Sequence, residues 1–116
     1  MKCLSESAMR AELLNFFSYS LQAVNGRRCV AAFLSQYALP ASTMRVIAIG
    51  KAAASMLQGA LEGYAHQIDA GLIITKAGHM EAIEAGTIPI VQLESAHPYP
   101  DQRSIEAGRQ LLRWSG

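Results

Sequence analysis

Apolar residues Met9, Leu13, Phe16, Phe17, Leu21 and Val24 recur at intervals of three and four. That is the period of an amphipathic helix, and it predicts one over about 5–24. Asn25-Gly26 interrupts the stripe. Val30, Phe33, Leu34 and Tyr37 then resume the helical period until Pro40 ends it. Beyond Pro40 the period changes. VIAIG at 46–50 and AGLIIT at 70–75 are short, continuously apolar runs, the pattern of strands buried on both faces of a parallel sheet. TIPIVQL at 87–93 predicts a third strand. Its Pro89 cannot donate to a ladder, so this strand lies at an edge or begins pairing after the proline. Between the first two strands, KAAASMLQGALEGYA places Ala53, Met56, Ala60, Leu61 and Tyr64 on one helical face, small enough to approach a sheet closely. After the third strand, Asp101 stands where an N-cap belongs, and Ile105, Gly108, Leu111 and Leu112 face one way along a last helix. The order ααβαββα implies an α/β domain of the doubly wound kind with a short, mainly parallel sheet. The stretch from 76 to 86 is barely long enough for a parallel crossover, which leaves the direction of the third strand open.

Composition narrows what such a domain does. The 116 residues are 51% hydrophobic, enough for one domain (1–116) with its own core. A formal net charge of +1 with no basic run argues against a nucleic-acid or anionic-membrane partner held by bulk charge. Cys3 and Cys29 stand far apart, with no CxxC or Cys/His cluster around them. Two buried thiols in a reducing cytoplasm are expected, with neither a zinc site nor a disulfide. Polar residues interrupt the amino-terminal MKCLSESAMRAELL, and no apolar run approaches the roughly 20 residues of a membrane span, so a cytoplasmic protein is expected.

The chemistry gathers at the predicted strand ends. The first strand ends in Gly50-Lys51, the second in Thr75-Lys76 followed by Gly78-His79, and the third in Glu94-Ser95 followed by His97-Pro98-Tyr99-Pro100-Asp101. Parallel strands carry all three ends to one edge of the sheet, where open α/β folds bind their ligands. A helix start after Gly50 adds free N–H groups and partial positive charge, which suits a phosphate or carboxylate. Each residue also has a plainer use: Lys51 as a solvated first-turn residue, His79 as an ordinary loop residue, Asp101 as an N-cap. Gly50-Lys51 is not a P-loop, because Arg45 stands at the first glycine position and Ala52 at the hydroxyl position. The constellation by itself implies an anion-binding α/β domain and no metal site.

These same segments, VIAIGKAAASM, GLIITKAGH and VQLESAHPYPDQRSIEAGRQLL, resemble the amino-terminal part of the glycerate 2-kinase family, the MOFRL-type enzymes also labelled hydroxypyruvate reductase. The resemblance implies a Rossmann-like domain within a two-domain kinase that uses ATP and Mg2+ to phosphorylate the 2-hydroxyl of D-glycerate. It implies a catalytic role for Lys51 and sets His79 and His97 at motif positions, while the strand-end reading adds Gly50, Lys76, Ser95 and Asp101 to them as candidate substrate or phosphate contacts. Family members are several times longer, and carry a glycine- and serine-rich phosphate loop and a second domain with no counterpart here. A truncated chain, inactive alone, is therefore expected. The alternatives are a non-catalytic module binding an anion or hydroxy acid, and a self-associating structural remnant. Nicotinamide-dependent turnover of hydroxypyruvate ranks low, because the chain has no dinucleotide fingerprint. With only 16% charged residues, the domain is also expected to form a homo-oligomer, by default a dimer, through its first or last helix.

Overall fold

The computed structural model describes residues 3–116. Ser5 caps α1 (Glu6–Ala23) by accepting the Ala8 N–H through its hydroxyl, and Asn25 caps α2 (Gly26–Leu34) in the same way at Arg28. There follow β1 (Met44–Ile49), α3 (Ala53–Tyr64), β2 (Ile68–Lys76), β3 (Ile90–Ser95) and α4 (Gln102–Ser115). The three strands form one sheet in the order β1-β2-β3, and both pairings are parallel. The third strand therefore runs with the others. It starts pairing where its proline permits: Pro89 lends its carbonyl to the Gly71 N–H, and the ladder proper opens at Ile90 opposite Gly71.

A parallel connection between β2 and β3 is possible because the crossover is a loop tied down at several points. The side-chain amide of Gln58 on α3 donates to the Glu84 carbonyl and accepts the Glu84 N–H, at 3.1 and 2.9 Å. Gln92 donates to the Glu81 carbonyl, and Ile83, Ala85 and Ile88 pack against the α3 side of the core. The connection thus supplies its own apolar cover for that face and needs no helix.

Three layers result. On one face of the sheet α3 contributes Ala53, Ala54, Leu57, Ala60 and Leu61, which meet Ile68 and Ile73, with Val30 and Leu34 of α2 behind them. Gly59 lets the two helices touch, since a Cβ there would overlap the Arg27 carbonyl. Arg27 fastens the contact by donating its N–H to Ser55 and pairing its guanidinium with Glu62. On the other face Leu72 and Ile74 meet Ala107, with Leu93, Leu111 and Trp114 around them.

Several expectations change, beginning with α2, which ends at Leu34 where the chain turns at Ser35, ahead of Pro40. β2 is buried on both faces, but β1 is not: its residues alternate between half-buried and exposed, because it ends the sheet and α4 does not reach over Ile47 and Ile49. None of the α1 residues is buried, since its apolar stripe meets little besides α2. On α4 the sheet-facing residues are Ala107, Leu111 and Trp114, whereas Ile105 and Leu112 are exposed. On α3 the deepest side chain is Leu57, while Met56 points outward. Cys3 and Cys29 are free thiols, as expected, but both are exposed, because they sit on the little-covered helical end of the molecule.

Candidate functional site

Parallel pairing brings the carboxyl ends of all three strands to one edge. A crevice of about 160 Å³ opens there, lined by Ile49, Gly50, Lys51, Ile74, Thr75, Lys76, Ser95, Ala96 and His97. Its floor is set by the ladder: Gly50 donates its N–H to the Ile74 carbonyl, Lys76 stands opposite Ser95, and Ala77 donates to the Ser95 carbonyl.

Gly50 makes the turn possible. Its φ of 124° lies where L side chains are strained, although the space around it is open. The chain leaves β1 through Gly50, turns at Lys51 and Ala52, and enters α3. The N-cap, Ala52, has no side chain to satisfy the first N–H groups of the helix. That leaves donors and partial positive charge next to the Lys51 ammonium group. Among the described residues, neither Lys51 nor Lys76 has an acidic partner within 4.0 Å. No carboxylate lines the crevice.

Thr75 sits at the end of β2 and is 2% exposed, and its hydroxyl has no hydrogen-bond partner among the described residues. Ser95 is better satisfied, donating to the Ser104 hydroxyl at 3.0 Å. Ser104 in turn closes a capping box by accepting the Asp101 N–H. The third strand end is thereby joined to the start of α4. His97 follows this join in the chain and precedes Pro98, to which it is linked by a cis peptide bond.

Two candidates lie outside the lining. His79 is exposed on the loop after β2, where its N–H donates to the Lys76 carbonyl in a turn allowed by Gly78 at φ 80°. Gly78 also donates to the Glu94 carboxylate at 3.0 Å, which secures that loop. Asp101 gives its carboxylate to Arg103, through the backbone N–H at 2.8 Å and the guanidinium at 3.1 Å. The hydrogen bond from the Arg103 side chain holds the Asp101 carboxyl below its usual range. Asp101 therefore positions α4 instead of facing the crevice. The sequence places Thr75 at the second strand end without revealing that its hydroxyl is buried, and it gives Ala96 no role; the register of β2 against β3 brings both here.

The donor set is two ammonium groups, an imidazole, a hydroxyl and an uncapped helix start. It suits an anion with several oxygens. It does not suit Mg2+, which asks for carboxylate oxygens, and among the described residues no cluster of three His, Cys, Asp or Glu side chains could hold a metal ion.

Comparison with known proteins agrees in family and fold. Residues 12–115 match the family described as a domain of unknown function, DUF4147. The chain is 34% identical over 94 residues to a D-glycerate 2-kinase of Thermotoga maritima, covering 80% of this chain and 21% of that protein. It is 38% identical over 68 residues to an Agrobacterium vitis protein that carries a hydroxypyruvate reductase name, covering 58% of this chain and 14% of that one. The crystal structure of a Thermotoga maritima glycerate kinase superimposes with a TM-score of 0.74 at 28% identity, over 93% of this chain and 25% of the other. The 116 residues thus span about a fifth to a quarter of these two Thermotoga proteins.

Proposed function

Because this chain belongs to the DUF4147 family and is homologous to a D-glycerate 2-kinase, we propose that it forms the anion-binding edge of a glycerate kinase active site. The single observation that supports this most is the crevice itself: Lys51, Lys76 and His97, from three strand ends, line one carboxylate-free opening beside an uncapped helix start. D-glycerate carries its carboxylate next to the 2-hydroxyl. Held by Lys51 and Lys76, the carboxylate would fix the hydroxyl at the mouth of the crevice. A fixed cation there also stabilises charge on a phosphoryl group in transfer. ATP with Mg2+ would supply the phosphoryl group, and its ligands belong outside these residues, which do not fit the metal. His97 orients substrate at the rim, and His79 takes part only if its loop closes over the crevice.

This division gives the 116-residue chain a binding role without turnover. Exposed apolar residues along α1 support a homodimer as its solution state. A coupled ADP-release assay with D-glycerate and ATP should show no turnover by the chain alone. NMR titration with D-glycerate should move the amide signals of Gly50, Lys51, Lys76 and His97. Robust turnover by the chain alone would refute the division of labour, and a titration that leaves those four signals still would refute the site.

A further inference from the structure

At the strand ends one polar group is both buried and idle. Thr75 is 2% exposed, and its Oγ1 has no hydrogen-bond partner among the described residues. A buried hydroxyl in that condition costs the fold stability, so its place calls for a partner from outside the chain. Side-chain oxygens of Gln67 and Gln92 are also buried without partners. Gln67 precedes β2, at the end away from the crevice, and the Gln92 amide is anchored through Nε2 on the Glu81 carbonyl. Thr75 differs from both in lining the crevice.

Strand alternation gives the side on which this hydroxyl stands. Ile73 belongs to the α3 cluster with Ala53 and Ala54, while Leu72 and Ile74 pack on the α4 side. Two residues on from Ile73, the Thr75 side chain stands on the α3 side, at the end of the strand where α3 begins. Lys51 lies on the turn into that helix, whose start has no side-chain cap. An ammonium group, helix-start N–H donors and an unpaired hydroxyl thus gather at one corner of the crevice. Beside so much positive charge the ligand atom is an anionic oxygen, which only accepts, so the hydroxyl donates. At about 160 Å³ the crevice is smaller than the pockets of drug-sized ligands and takes a small acid.

We propose that Thr75 is a substrate-binding residue whose hydroxyl donates to one carboxylate oxygen of a small 2-hydroxy acid, at the floor of the crevice beside the start of α3. This deepens the anion-binding reading above and rests on it. Ammonium groups attract a carboxylate as point charges, whereas a directed bond from an enclosed hydroxyl fixes its rotation and so the direction of the neighbouring 2-hydroxyl.

The test pairs Thr75→Val, which keeps the shape and removes the hydroxyl, with Thr75→Ser, which keeps the hydroxyl and removes the methyl group. Each variant of the 116-residue chain is titrated with D-glycerate, read at the Gly50 and Lys51 amide signals, and is melted without ligand. Thr75→Val should melt at or above the wild-type temperature, because an unpaired buried hydroxyl is gone, and should bind roughly ten- to a hundredfold more weakly. Thr75→Ser should melt lower and bind within about threefold of wild type. A purely structural role cannot make stability and affinity cross in this way. The loss in Thr75→Val should be as large with 3-hydroxypropionate, which has the carboxylate and lacks the 2-hydroxyl. Equal affinity of Thr75→Val and wild type overturns the proposal and leaves the anion site standing. Melting of Thr75→Val well below wild type assigns the hydroxyl to the fold and overturns it too. A loss confined to D-glycerate moves the contact to the 2-hydroxyl and overturns the carboxylate assignment. If the wild-type signals themselves stay still, the anion reading fails and this proposal falls with it.

Discussion

Lys51 is the residue on which the binding role turns. It follows a glycine that only glycine suits, precedes a helix whose cap makes no side-chain bond, and has no acidic partner among the described residues. A cation in that position is electrostatically disfavoured until an anion arrives. Lys51→Ala should weaken D-glycerate binding by about 1.5–3 kcal/mol, roughly ten- to a hundredfold, as for loss of one hydrogen bond to a charged group. Fold stability should hardly change, and titration calorimetry together with a melting curve separates the two effects. Gly50→Ala should do the reverse in part. The open space around Gly50 admits a methyl group, but its φ of 124° does not, so about 1–3 kcal/mol of stability is lost to backbone strain. Asp101 supplies the pH dependence. Its hydrogen bond from Arg103 lowers the folded-state pKa below the ordinary 3.8, so the folded state favours the ionised form. The stabilisation is present above that ordinary value and is lost as pH falls through the lower folded-state value. Asp101→Asn should therefore flatten the acid limb of stability against pH, and leave the melting temperature at pH 3 closer to wild type than at pH 6. These strand-end residues were legible in the sequence because parallel strands leave few places for their ends to go. The position of Thr75 was legible too, but not the isolation of its hydroxyl, which depends on what packs above it.

At the scale of elements, each helix and strand was legible from period and capping chemistry, because Ser5, Asn25 and Asp101 mark boundaries locally, whereas Pro40 lies beyond the end of α2 at Leu34. What escaped was which flank of each element is covered. Met56 and Leu57 are adjacent and equally apolar, and only the placement of β2 under α3 decides that Leu57 is buried at 1% exposure and Met56 is not. Leu57 packs in the cluster that joins α3 to Ile68 and Ile73. Leu57→Ala should cost about 2–5 kcal/mol, as large-to-small changes in cores do, and Met56→Ala much less. Chemical denaturation of the two variants makes the comparison, and equal losses would mean that α3 is rotated from the orientation described. The Gln58–Glu84 bonds were equally hidden, since nothing local announces that a side-chain amide will hold a backbone segment 26 residues away.

The whole molecule leaves more apolar surface bare than a folded domain of its size usually does. α1 is the clearest case: Glu6, Arg10 and Glu12 are its only charges, residues 13–24 carry none, and Leu13, Phe16, Phe17, Tyr19 and Leu21 are all more than half exposed. A helix that is apolar on several sides is stable in water only when something covers it. Two copies of α1 packed together would cover the 13–24 segment without burying a charge, and a symmetric dimer is the common form of such burial. Sedimentation across a dilution series should show a dimer that dissociates on dilution. Phe17→Glu should shift the midpoint to at least roughly tenfold higher concentration, with an unchanged melting temperature for the monomer because Phe17 touches no core. Hydrogen exchange locates the interface. Dimerisation protects α1 amides and leaves Arg45, Ile47 and Ile49 fast. A monomer at high concentration would show that α1 needs another partner, and protection confined to β1 would move the interface to the sheet edge.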